Sequence, residues 1–331
     1  MATRRSGALE PLQQSAGTVI RGHAERLVQE ADAAVRRLSD LNDTQALHVS
    51  RVALRRLRGW YRAFAEELSL KRKWRRGLRR LAHSTNQARD AEVSLEWLTL
   101  LERRLDPRAM PGLARFTADL KRLRDENYRE VRKELPSAWR KLARKLRRSA
   151  SGTQATGPVF LRVFMASLHS YTGDFDAALQ SARRTPTPAH IHALRIAGKR
   201  LRYLVETILP WHPQAGGFIR EMKALHDTAG AIQDLQRLVA LSEQAFLRRA
   251  GARYRRLLAA YLDTRADHRT LKRPNLNPGF APLLWICRAA GGAQTEYIDR
   301  FRKAYLGRKT PVCVRELRML SVRLNKLMTK K

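Results

Sequence analysis

The chain reads as an all-α protein on three observations. Ala, Leu, Arg, Glu and Gln dominate, apolar residues recur at intervals of three and four, and alternating β-branched runs are nearly absent. A first helix is expected over Leu12–Leu38, where "SDLND" stops it, and a second over Thr44–Leu68. A third is expected over Lys71–Leu105, ended by "DPRAMPG", and a fourth over Leu113–Leu135. Pro136 should separate that helix from a fifth over Ser137–Arg148, because an interior proline removes an N–H and crowds the preceding turn. The Ser/Gly/Thr-rich stretch "SASGTQATGP" at 149–158 reads as a linker. Beyond it, helices are expected over Val159–Arg183, Ala189–Leu209, Gly217–Arg249 and Ala252–Asp267, the second of these with Thr187 as N-cap and Pro188 at its first position.

Charge is the most unusual property of the composition. There are 66 Lys and Arg against 30 Asp and Glu, a net +36. Such an excess repels itself in a compact state unless anions neutralise it, so a polyanionic partner is the first expectation. With 44% hydrophobic residues the chain can still build a core and is no disordered basic tail. Its two cysteines, Cys287 and Cys313, support neither a disulfide framework nor a cysteine zinc site, which fits a reducing cytoplasm. No run approaches the roughly 20 apolar residues of a membrane span, and the N-terminus lacks the apolar core of a signal peptide.

One phrase occurs twice. "HVSRVALRRLR", starting at His48, returns as "HALRIAGKRLR" at His192, 144 positions later. At about 100° per residue, with His48 at zero, Arg51 falls near 300°, Arg55 near 340° and Arg58 near 280°, an arc of about 80°. His192, Arg195, Lys199 and Arg202 repeat that spacing. Arg56 points elsewhere; with its counterpart Arg200 it completes the cationic set of the two helices. The next predicted helix carries a second stripe, Arg72, Arg76, Arg79 and His83, in line with Asp90. At the same offset Arg220, Lys223 and Asp234 recur, with Asp227 in place of His83. Two elements in one register indicate a duplicated unit, giving segments 12–150 and 158–290 and a basic helical extension over 291–331.

Guanidinium forks suit phosphate oxygens, and an imidazole can donate to the same anion. A charge run on a lone helix is usually a solvated face, but recurrence at a fixed offset argues for an anion-binding groove. Asp90 and Asp234 read as groups that orient basic side chains. The histidines fit either a ligand contact or a structural hydrogen bond.

These residues resemble the CHAD family of histidine-containing α-helical domains. "HVSRVALRRLR" and "HALRIAGKRLRY" carry the resemblance, together with "LAHSTNQARDAEV", which is similar to the family phrase L-x-x-x-R-D-x-D-V. It covers roughly 12–285, with Gln233-Asp234 in place of Arg-Asp and Glu92 where Asp is common. The resemblance implies two pseudo-symmetric four-helix units around a basic central channel. It also implies binding of inorganic polyphosphate and association with polyphosphate granules in bacteria that make them.

Enzymatic chemistry is not expected. "AGKR" at Ala197–Arg200 lacks the leading glycine and following Ser/Thr of a P-loop, and no zincin, nucleophile-elbow or dinucleotide motif occurs. His190 and His192 would point about 200° apart on a helix, which disfavours a shared metal. No cofactor is expected. The competing function is a basic helical nucleic-acid binder, favoured by the interleaved aromatics of "RFRKAYLGRKT"; weak, non-specific nucleic-acid binding fits either reading. A granule-surface scaffold, with the tail recruiting a partner, is a third.

Overall fold

The computed structural model describes residues 10–43, 45–104, 107, 110–151, 157–262 and 281–329. After a single turn at Glu10–Gln13 come α1 (Ala16–Arg36), α2 (Ala46–Ala63), α3 (Arg72–Ser84), α4 (Asn86–Leu101), α5 (Met110–Ala150), α6 (Phe160–Arg184), α7 (Pro188–Glu206), α8 (Gly216–Leu262), α9 (Ala281–Phe301) and α10 (Val312–Thr329). The fold is all-α: among the described residues the only sheet-like feature is an isolated antiparallel bridge between Ser15 and Val159. No described helix is long and apolar enough to cross a membrane. Thr187 caps α7 with its side chain, accepting from the His190 N–H, and Pro188 takes the first position as expected.

Three breaks differ from the expected ones. α5 runs straight through Pro136. Val131, Leu135 and Trp139 are buried around the proline, and Trp139 Nε1 donates to Asp32 Oδ1 at 2.7 Å, so packing outweighs the one lost backbone bond. α8 likewise continues through Gly251, whose cost of about 1 kcal/mol against Ala is too small to stop a long helix. Conversely, the single helix expected over Lys71–Leu105 is interrupted at Thr85, and Leu105 lies outside the described residues. The cause is tertiary: the Arg51 guanidinium donates to both the Thr85 carbonyl and its hydroxyl. The expected helix over Ala252–Asp267 forms the end of α8 as far as Leu262, and its remainder lies outside the described residues.

The chain divides into two compact units, each drawing on segments from both sides of the 149–158 stretch. One comprises 87–127 and 230–299; its core joins Leu98, Phe116, Leu120, Leu238, Ile286 and Ala290. The other comprises 1–86, 128–229 and 300–331. In it α1 packs on α2, α6 on α7, α2 on α7 and α1 on α6, a closed ring of four helices. Their shared core is aromatic: Trp60 lies 4.3 Å from Phe64 and 6.3 Å from Phe160 between ring centroids, and its Nε1 donates to the Ile20 carbonyl at 3.0 Å.

Contacts at or flanking the 144-residue offset hold this ring together, around the Ser15–Val159 bridge. The Ala16 N–H donates to the Pro158 carbonyl and the Phe160 N–H to the Gln14 carbonyl, both at 2.8 Å, a reciprocal pair. Where α2 crosses α7, a Cβ on Gly59 would sit 3.3 Å from the Cβ of Tyr203, its counterpart, so the glycine sets how closely the helices approach. In the other unit, Asp90 and Asp234 both hold one side chain, Arg237, at 3.3 and 3.1 Å.

Candidate functional site

Arginines from α2 and α3 converge on one cleft. Arg58 and Arg62 from α2 face Arg72, Arg75, Arg76 and Arg79 from α3 around a space of about 310 Å³, floored by Tyr61, Leu70 and Leu78. The helices present these groups because their apolar residues are spent on packing: Leu54, Leu57 and Tyr61 are buried on α2, Leu78 and Leu81 on α3. Among the described residues none of the six arginines forms a salt bridge. Nor is there an acid in the first turn of α3, whose N-cap position holds Lys71 and carries no side-chain cap. A helix N-terminus already bears a partial positive charge, so cations crowded there are unfavourable unless an anion joins them. The same frustration shows in the guanidinium equilibria. Burial and then the charges of Arg62, Arg79 and Arg200 hold Arg58 below its ordinary pKa; burial and then Arg200 lower that of Arg62, with Tyr171 and Asp174 opposing.

The other predicted residues are distributed unevenly. Arg51 and Arg195, the first cations of the two copies, serve the fold as well, since each donates to a main-chain carbonyl: Arg51 to that of Thr85, at the break between α3 and α4, and Arg195 Nε to that of His226 on α8 at 3.5 Å. Arg55 is half-buried, with its Nε enclosed and, among the described residues, without a hydrogen-bond partner. Arg200 reaches Asp174 at 3.4 Å, and Arg202 pairs with Glu206 at 3.0 Å while its guanidinium lies 4.9 Å from the Tyr203 ring centroid. Lys199 is half-buried; Arg220 and Lys223 are exposed on α8. His48 is exposed and lies with Arg56, Glu30 and Arg37 along a groove between α1 and α2, away from the arginine cleft. Exposed His83 approaches the Asn86 amide at 3.3 Å through Nδ1, and His192 is half-buried.

Sequence reasoning passed over three residues. Arg62 sits 14 positions after His48, near 320° on the same wheel, so extending the stripe by one turn finds it. Arg75 lies beside Arg72 and Arg79 on the second wheel by the same arithmetic. His226 had no such signal, because its counterpart in the first copy is Ala82. It is 5% exposed, and among the described residues neither ring nitrogen has a hydrogen-bond partner. Its Nε2 packs 3.0 Å from where a Cβ on Gly198 would lie, which keeps that position a glycine. Burial, then the charges of Arg202, Lys199 and Arg195, push its imidazole down to about 2.

His226 is therefore neutral in the fold and protonated in the unfolded chain below about pH 6.5. Its folded pKa is depressed, so the unfolded state binds more protons and stability is lost as pH falls. Between pH 7 and 5 the loss expected from His226 alone is about 2 kcal/mol. His23, pushed down to about 4 by burial and Arg26, acts in the same direction. Urea unfolding across this range should show the decline, and His226→Leu should flatten it; an equally steep decline in the variant would show that His226 is not the titrating group.

Comparisons with known proteins follow the same lines. A family model for the CHAD domain matches residues 18–243. The crystal structure of the CHAD domain from the plant Ricinus communis superposes with a TM-score of 0.60 at 17% identity, covering 82% of this chain and 93% of that one. No curated protein matches.

Proposed function

Because the chain belongs to the CHAD domain family, we propose that it is a binding module, not an enzyme, whose ligand is inorganic polyphosphate. The observation that carries this is the cleft lined by six arginines and, among the described residues, by no acid, at the uncapped N-terminus of α3. Polyphosphate is a flexible chain with closely spaced charges, and it supplies the anion density this cleft lacks. The reciprocal bridge at Ser15 and Val159, the Gly59–Tyr203 approach and the shared Arg237 support a duplicated helical unit with approximate two-fold symmetry. On that reading the stripes of α2 and α7, with α3 and the start of α8, line a basic channel, and the charge of Arg200 from the second copy acts on Arg58 and Arg62 of the first. The expected location is the cytoplasm, at polyphosphate granules. Competition between polyphosphate and nucleic acid for the protein tests the choice of ligand: polyphosphate should win at equal phosphate concentration.

A further inference from the structure

The two copies of the site are not equivalent. Advancing the six cleft arginines by 144 positions gives Arg202 for Arg58, Glu206 for Arg62, Gly216 for Arg72, Ile219 for Arg75, Arg220 for Arg76 and Lys223 for Arg79. Six cations and no acid therefore correspond to three cations and one acid, and that acid is spent on one of the three, Arg202, at 3.0 Å. The second copy also replaces the basic first turn of α3 with the Gly216-Gly217 start of α8, where a Cβ on Gly217 would meet the Glu316 carboxylate at 2.5 Å. A carboxylate thus stands beside that helix start, where the first copy begins with Lys71, Arg72 and Lys73 and has no acid in its first turn.

We propose that the α2–α3 cleft is a single dominant subsite for a compact condensed-phosphate unit, the end or a short run of a polyphosphate chain, and that the second copy adds weaker contacts only along a longer chain. This rests on the polyphosphate reading above and deepens it. The cleft, at about 310 Å³, is of small-molecule size and holds a few phosphate units at most. It gathers charge from two helices and a helix N-terminus onto one point, the geometry for a compact anion with charge on all sides. The second-copy surface, with its internal ion pair, can guide a chain but cannot close around an anion.

Sodium tripolyphosphate and long-chain polyphosphate, titrated calorimetrically into the full chain, test this. Tripolyphosphate should bind one per chain. Arg75→Gln, Arg76→Gln and Arg79→Gln combined should weaken it by roughly 100-fold or more. Arg220→Gln with Lys223→Gln should weaken it by less than about 3-fold while clearly weakening the long chain. Two equivalents of tripolyphosphate per chain, or equal losses from the two sets of variants, would overturn the single-subsite proposal. If long-chain polyphosphate binds and tripolyphosphate does not, this proposal fails and the polyphosphate reading stands. If neither binds, both fail. The stoichiometry is read on the unmutated protein, so a variant that unfolds leaves that arm intact.

Discussion

Replacing Arg58, Arg75, Arg76 and Arg79 together with Gln is expected to weaken polyphosphate binding by at least about 100-fold, flatten its salt dependence and raise the melting temperature of the ligand-free protein. The first effect follows from losing charge-assisted contacts to phosphate oxygens. The second follows from counterion release, where each lost contact lowers the log–log slope by about 0.7 to 0.9. The third sets this apart from ordinary damage. Among the described residues these side chains have no salt-bridge partner; they crowd a helix N-terminus and repel one another, so removing them relieves repulsion instead of breaking bonds. Binding over a range of salt concentrations and thermal unfolding without ligand measure all three. A variant that melts lower and binds as well as the parent would show that these arginines serve packing.

Trp60→Ala is expected to cost about 3–5 kcal/mol of stability, the range for removing a large buried aromatic. Trp60 is 2% exposed and lies against His23, Phe64 and Phe160, so the cavity would open at the centre of the four-helix ring. Its loss also leaves the Ile20 carbonyl without the indole donor. By contrast Leu41→Ala, at a residue 76% exposed, should stay within about 0.5 kcal/mol of the parent. Urea unfolding of the two variants distinguishes them directly; a Trp60 variant as stable as the parent would mean that the ring is not packed around this side chain.

The fold class was legible because helix-forming residues and three-four periodicity are local properties of the chain. Helix ends were less so. Pro136 and Gly251 are breakers by local rules, yet the buried Val131, Leu135 and Trp139 hold α5 together across the proline and α8 absorbs its glycine. The break at Thr85 has the opposite origin: it is made by Arg51, 34 residues earlier, and no local pattern announces it. The site divides in the same way. Angular arithmetic on α2 and α3 gathers Arg58, Arg72, Arg76 and Arg79, which line one cleft in the structure, and one more turn adds Arg62. It set His48 in line with those arginines, whereas the α1–α2 packing places His48 beside Arg56. Asp90 and Asp234 do orient a basic side chain, but that it is one arginine, Arg237, shared by both is a property of the tertiary structure alone.

Competition for labelled polyphosphate at about 0.15 M salt, where weak surface charge is screened, is the decisive measurement. Unlabelled polyphosphate, single-stranded DNA and double-stranded DNA are compared at matched phosphate concentration, on the parent and on the variant lacking Arg58, Arg75, Arg76 and Arg79. Polyphosphate is predicted to displace the label at a concentration at least about 10-fold lower than either nucleic acid, with the advantage disappearing in the variant. Equal or better displacement by nucleic acid, or an advantage that survives loss of the four arginines, would contradict polyphosphate recognition at this cleft.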